Sequence, residues 1–286
     1  MKIAAIDIGT NAIKSKIFST TPTSINFIES IRTPMRLGED VFRNGFLSQD
    51  KLNDLIKILK NYIEYFEKNN IDMYEIVATS AFRDTANSEE ARRLVENSIE
   101  HPIRIISGLE EAKLIRFHPK AQSMPNKLFV DIGGGSTEFY IHTKAKDYIQ
   151  SFQLGAVRNY MKMDSKAEWE RMDNWLDQHI ERMQLIGIGG NIRAFLNIYK
   201  MKSMSQDEFV ANAKKLALLD KKEKQSQYNL NNDRVDVIDS AISIYLQIIN
   251  KLSISKIKST RWGISDSAAV KLFHELYSDK IAIKNN

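Results

Sequence analysis

Two glycine clusters stand where a backbone could grip an anion. Gly133-Gly134-Gly135-Ser136-Thr137 follows a β-rich run ending near Asp131. Consecutive glycines let backbone N–H groups approach a phosphate without Cβ obstruction. Gly187-Ile188-Gly189-Gly190-Asn191 lies between a strand pattern and a helix pattern, where a helix N-terminus adds N–H groups and partial positive charge. Neither cluster is a Walker A loop, since no Gly-Lys-Ser/Thr follows, and neither is a dinucleotide-binding fingerprint. Paired, they predict a phosphate held from two sides through Gly133, Gly134, Gly135, Ser136, Gly189, Gly190 and Asn191.

Carboxylates accompany these turns. Asp7, Asp131 and Glu138 each sit in or beside a strand–turn–strand pattern. Hard carboxylate oxygens beside phosphates suit Mg²⁺ or another divalent cation, which needs only one or two protein ligands. Glu110-Glu111 opens a helix pattern after Ser107-Gly108. Acids in a first turn complement the helix dipole, and spacing alone does not select either as a base. Arg83, just past a strand end, is placed to meet phosphate; an ion pair with Asp84 is the competing reading. The five histidines never fall at metal-ligand spacing, so histidine-based metallophosphatase chemistry is unsupported.

The elements that must position these groups read as follows. Ile3–Ile8 and Ile13–Phe18 form a hairpin around Gly9-Thr10-Asn11, with Ile25–Ile31 as a further strand. Leu52, Leu55, Ile56, Leu59, Ile63 and Phe66 recur at helical spacing after Ser48. Strands over 75–79 and 103–106 alternate with helices over 88–98 and 109–117, an α/β pattern. The polar stretch His118–Asn126, with Pro119 and Pro125, reads as a hinge. Beyond it a second strand–turn–strand unit, Leu128–Ile132 and Thr137–Ile141, repeats the first, and duplication follows as an expectation. Helices are predicted over 168–183, 191–200, 206–219, 234–252 and 266–276, with a strand over 185–188.

With 286 residues, 43% of them hydrophobic, the chain can form one large or two modest domains. The absence of cysteine excludes disulfides and thiolate metal sites. No apolar run reaches the length of a secretory signal or a membrane span, so a soluble, cytoplasmic protein without membrane association is expected. The net charge of +5 is concentrated at Lys200, Lys202, Lys214, Lys215, Lys221, Lys222 and Lys224. That surplus reads either as a solvated helix face or as attraction for a polyanion.

Several segments together resemble the exopolyphosphatase/guanosine pentaphosphate phosphohydrolase (Ppx/GppA) family. They are Ile6–Asn11, Ala78–Asp84, Ile106–Ala112, Asp131–Glu138 and Leu154–Val157, with Arg234-Val235-Asp236 and Gly263-Ile264 as weaker matches. The resemblance implies two ribonuclease H-like α/β lobes of the actin-like ATPase type, with an interlobe cleft. The lobes are expected at 1–120 and 121–286, the second with added helices. It further implies Glu111 as the base that activates water, and Asp131 and Glu138 as catalytic residues tied to the metal, with Asp7 beside them. The glycine turns, Asn11 and Arg83 become phosphate-binding elements. Two departures stand out: Asn191 replaces a customary threonine, and Lys14 falls where arginine is common.

The expected activity is hydrolysis of a terminal phosphoanhydride in polyphosphate or guanosine pentaphosphate, with Mg²⁺. No specific nucleic-acid partner is expected, and a homodimer is compatible with the sequence. The alternatives are an ATP-dependent kinase of the same fold and a non-catalytic polyphosphate or nucleotide sensor. Glu110-Glu111-Ala112 speaks against the first, and intact Glu111, Asp131 and Glu138 against the second. Larger relatives carry extra C-terminal domains, so a chain ending at Asn286 is expected to hold long polymers weakly, unless the lysines at 214–224 form a basic track.

Overall fold

The computed structural model describes residues 1–121, 123, 126–179 and 181–282. The chain divides into two compact units. The first comprises Met1–Ser107 and the chain from Ile264 onward; the second is Gly108–Gly263.

The first unit runs β1 (Lys2–Ile8), β2 (Ala12–Thr21), β3 (Ser24–Pro34), α1 (Leu37–Asn44), α2 (Gln49–Lys68), β4 (Met73–Ala78), α3 (Ser80–Arg83), α4 (Ser88–Ile99) and β5 (Arg104–Ile105). The second runs α5 (Gly108–Leu114), a 3₁₀ turn (Ile115–Phe117), β6 (Lys127–Ile132), β7 (Thr137–His142), β8 (Asp147–Phe152), α6 (Ala156–Tyr160), α7 (Lys166–Leu176), β9 (Met183–Ile188) and α8 (Gly190–Ile198). It continues with β10 (Ser203–Met204), α9 (Gln206–Ala217), α10 (Lys221–Tyr228), α11 (Asn232–Val235), α12 (Ile238–Lys251) and β11 (Ile254–Ser259). Helix α13 (Ile264–Ala282) then rejoins the first unit.

The two sheets share one plan. The first has strand order β3-β2-β1-β4-β5 and the second β10-β11-β9-β6-β7-β8. In each, three consecutive strands form an antiparallel meander, and the first of them takes a parallel neighbour through a helical crossover. Both units are therefore α/β with the ribonuclease H-like order, the second extended by β10. β1 and β6 lie central and buried, so they read as near-continuous apolar runs: Ile3, Ala4, Ala5, Ile6 and Ile8 in one, Leu128, Phe129, Val130 and Ile132 in the other. Each fully buried Ile or Phe side chain contributes roughly 1.5–3 kcal/mol.

Local chemistry sets the helix ends. The Ser48 side chain accepts from Lys51 N at the start of α2, whose buried face carries Leu52, Leu55, Leu59, Tyr62 and Phe66. Helix α13 is tied to β2 by Lys16–Asp266 and by a hydrogen bond between the Thr20 and Tyr277 hydroxyls at 3.2 Å. These ties explain why the chain from Ile264 groups with the first unit, where the sequence reading kept 121–286 together. The stretch read as a hinge, 118–126, lies within the second unit; its Pro125 is outside the described residues. His118 there is buried, its Nδ1 accepting from Lys120 N and its Nε2 paired with Thr260 Oγ1.

Two helix expectations change. The helix predicted over 168–183 spans Lys166–Leu176, and β9 already begins at Met183; Ile180 is outside the described residues. The helix predicted from Arg234 to Leu252 breaks into α11 and α12 around Asp236 and Val237, where Val237 N closes a turn onto Arg234 O. Among the described residues, no helix is long and apolar enough to cross a membrane.

Candidate active site

The second unit gathers most of the expected groups. In the β6–β7 hairpin, Asp131 is directly opposite Glu138, and Ile132 opposite Thr137. Directly opposed side chains share a sheet face, so two carboxylates are presented side by side. Like charges so placed are destabilising unless a cation or proton joins them. Glu138 is buried, and its Oε1 accepts from Ser151 Oγ at 3.0 Å.

Between these strands Gly133–Ser136 makes the turn, with Gly133 N donating to Ser136 O. Helix α6 seizes the turn's carbonyls. Ala156 N donates to Gly133 O at 2.9 Å, and Val157 N and Arg158 N donate to Gly134 O at 2.8 and 2.9 Å. The Arg158 side chain adds Nε to Gly135 O at 2.8 Å. A trans peptide directs its C=O and its N–H to opposite sides. With the carbonyls of Gly133, Gly134 and Gly135 drawn toward α6, the N–H groups of Gly134, Gly135 and Ser136 turn the other way, as an anion-binding nest requires. This close approach demands Gly155, where a Cβ would lie 2.4 Å from Gly134 O.

The second glycine cluster joins β9 to α8. Gly189 has φ +92°, and a Cβ there would lie 3.3 Å from Asp131 Oδ1, so Asp131 borders both glycine turns. Gly190 opens α8, and its missing Cβ leaves room for the Arg234 guanidinium, 2.5 Å from where that atom would be. Arg234 Nη1 also donates to Asn191 Oδ1 at 3.2 Å. A guanidinium seated at a helix N-terminus combines two sources of positive potential, an arrangement that favours an anion. Asn191, the departure from threonine, thus has a side-chain partner in Arg234.

Helix α5 brings in the acid pair. Gly108 at its start packs so tightly that a Cβ would lie 2.2 Å from Ser151 Oγ, with Glu138 Oε1 3.7 Å away. One turn on, Glu110 is exposed and Glu111 is buried at 5% exposure. Burial therefore separates two residues that spacing left equivalent.

A residue that sequence reasoning missed underlies the strand ends. Tyr245 on α12 is fully buried and donates its hydroxyl to Val130 O at 3.3 Å. Gly187 leaves it room, since a Cβ there would lie 2.7 Å from that oxygen. Burial, and then the charge of Asp131, push its phenol well above the usual range. The only sequence signal was a tyrosine on the apolar face of a helix.

Asp7, Asn11 and Arg83 belong to the first unit. Asp7 is buried opposite Lys14, with Oδ2 3.5 Å from Nζ. Burial pushes its carboxyl up, and Lys14 partly offsets the shift. Asn11 sits at the hairpin tip, its carbonyl accepting from Met35 N. Arg83 Nη1 donates to Ile106 O at 2.8 Å, and Nε lies 3.4 Å from Asp84, so the competing ion pair is present.

Metal fit follows from the donor set. Among the described residues no group of three His, Asp or Glu side chains converges as a cage. The opposed pair Asp131 and Glu138 suits a hard cation that keeps several waters, as Mg²⁺ does.

Comparisons with known proteins agree with this plan. The model of the Ppx/GppA phosphatase family matches residues 16–275. A bifunctional 3-dehydroquinate synthase/phosphatase from Fusobacterium nucleatum is 28% identical over 90% of this chain. The chain spans only 40% of that protein's length. Among solved structures, an exopolyphosphatase from Cytophaga hutchinsonii superposes with TM-score 0.82 at 20% identity, covering 96% of this chain and 98% of that one. A family member from Aquifex aeolicus gives 0.77 at 21% identity, covering 98% of each chain. At these identities the structural likeness establishes the two-lobed fold.

Proposed function

The chain belongs to the Ppx/GppA phosphatase family, and from that premise we propose that it hydrolyses terminal phosphoanhydride bonds, releasing orthophosphate from inorganic polyphosphate or guanosine pentaphosphate. One observation carries the reading: Asp131 faces Glu138 across the hairpin whose turn directs three N–H groups away from α6. That geometry suits a polyanion neutralised by a cation. Glu111 accepts a proton from water as the water oxygen attacks the terminal phosphorus. The P–O bond to the remaining chain breaks in line, and the leaving phosphate departs with its bonding pair. The N–H groups of the first glycine turn, with Gly189, Gly190, Asn191 and Arg234, hold the phosphoryl oxygens. Asn11 and Arg83 are proposed phosphate-binding residues of the first unit. Asp131 and Glu138 would hold Mg²⁺, which would neutralise phosphate charge. Positioning and charge stabilisation supply most of the acceleration in such transfers.

The test is orthophosphate release from polyphosphate, guanosine pentaphosphate and ATP in parallel, with and without Mg²⁺ and with no acceptor present. Release from either of the first two without an acceptor is expected. Turnover only of ATP, and only with an added acceptor, would favour a kinase; no turnover of any substrate would favour a sensor.

A further inference from the structure

The lysine-rich stretch contains a contact that the hydrolytic scheme does not use. Lys221 opens α10, and its Nζ donates to Asp236 Oδ1 at 2.8 Å and to the Tyr160 hydroxyl at 3.0 Å. The ammonium also lies 5.0 Å from the centroid of the Tyr160 ring. Tyr160 ends α6, the helix whose first residues hold the carbonyls of Gly133, Gly134 and Gly135. Asp236 follows α11, two residues beyond Arg234, whose guanidinium fills the space beside Gly190. One ammonium group therefore joins the support of the first glycine turn to the support of the second.

Helix α10 is built to present that group. Asp220 and Glu223 form a reciprocal capping box at its start. One turn on, Lys224 is 3% exposed and donates to Asp239 Oδ2 on α12, a second tie from α10. A lysine in a first helical turn opposes the macrodipole, so helix stability does not account for Lys221; its tertiary partners do. Both raise its pKa, Asp236 the more, so the group stays charged throughout the neutral range.

We propose that Lys221 is a positioning residue, a clasp that fixes α6 and the Arg234 segment relative to each other so that both glycine turns grip one phosphoryl group. This rests on the reading of the two turns as a single phosphate site. It also counts against a basic track formed by the whole stretch, because Lys221 and Lys224 are both committed to carboxylates of the same chain.

The test uses the full chain, with inorganic pyrophosphate and Mg²⁺ as the binding probe and phosphate release as a second readout. Lys221→Met and Asp236→Asn should each weaken pyrophosphate binding by about two- to fivefold, the effect of losing a partly exposed ion pair. The double variant should be no worse than the worse single one. KM should rise with the binding loss while kcat holds, and Lys221→Arg should restore most of the affinity. Tyr160→Phe removes one hydroxyl contact without touching either charge, and should cost less than either single charge variant. A lysine that touches substrate directly predicts the opposite sign for Asp236→Asn, since freeing the ammonium would tighten binding; that result overturns the clasp. So do additive losses in the double variant, or unchanged binding in all of them. A wild-type chain that binds pyrophosphate yet releases no phosphate from any substrate sinks the hydrolase reading alone, with the clasp still decided by binding. Absence of binding by the wild type sinks both.

Discussion

The β1–β2 and β6–β7 hairpins share a topology and differ in what stands across from the aspartate. In the first, Asp7 is opposite Lys14, and one charge answers the other within the protein. In the second, Asp131 is opposite Glu138, and the hairpin gathers two carboxyl groups on one face. The turns differ as well. At the first tip two consecutive carbonyls are taken by the chain around the start of α1, Thr10 O by Gly38 N and Asn11 O by Met35 N. In the second, α6 takes three consecutive carbonyls and so orients three consecutive N–H groups. The same strand plan thus carries two different arrangements. One copy pairs its aspartate with a lysine, and the other sets its aspartate beside a second carboxyl at a glycine turn. We propose on this argument that a metal would sit with the second copy, with Asp7 the weaker ligand.

The hardest blow to that contrast would come through Glu111, which lies on the helix packed against Ser151 and close to Glu138. Glu111→Gln should lower kcat by roughly two to four orders of magnitude, the range for loss of a general base, with folding intact. Glu110→Gln, on the exposed side of the same turn, should change kcat by less than about threefold. Equal effects from the two in a steady-state assay would mean that burial does not mark the base.

Next in size is the metal dependence. Asp131→Asn keeps the side chain's shape and loses the charge that attracts a hard cation. Titration of activity with Mg²⁺ should show the half-saturating concentration raised by about tenfold or more. Asp7→Asn, whose carboxylate already has an ammonium partner, should move that curve much less. Equal shifts would make the hairpins equivalent and dissolve the comparison.

Much of this was legible in the sequence, and what escaped has a common cause. The hairpins, their aspartates and the glycine turns are local features, and strand alternation with turn residues reveals such features directly. The helical face of Leu52, Leu55, Leu59 and Phe66 was equally open to reading. Helix α6 was not, because five residues are too few for a periodic signal. Arg234 reaches Asn191 across 43 residues, and Tyr245 reaches Val130 across 115; no spacing rule spans such separations. The break between α11 and α12 was hidden for the same reason. A continuous helical pattern runs through it, while Asp236 is recruited by Lys221 from 15 residues away. Composition left the lysine stretch open between a solvated face and polyanion attraction, since charge counts do not register the carboxylates already facing Lys221 and Lys224.

The smallest expected effect is on stability, and it tests whether the first hairpin is as self-sufficient as its ion pair suggests. Asp7 is 4% exposed, and burial raises its carboxyl pKa, with Lys14 offsetting only part of the shift. A carboxyl whose pKa is higher folded than unfolded binds its proton more tightly in the folded state. Its favourable contribution is therefore complete below the unfolded value and disappears as pH rises through the folded value. As pH rises the wild type must ionise a buried carboxyl, whereas Asp7→Asn carries an uncharged group of the same shape. The melting temperature of the wild type minus that of Asp7→Asn should fall as pH is raised from the acid side toward neutrality. Each kcal/mol corresponds to roughly 2–4 °C in a protein of this size class. Taking the difference cancels the titration of the other carboxylates, which both proteins share. A difference that instead grows with pH would show Lys14 outweighing burial and Asp7 stabilised as an anion. The first hairpin would then be a tighter ion pair than its geometry implies, and its contrast with the opposed carboxylates of the second would be sharper still.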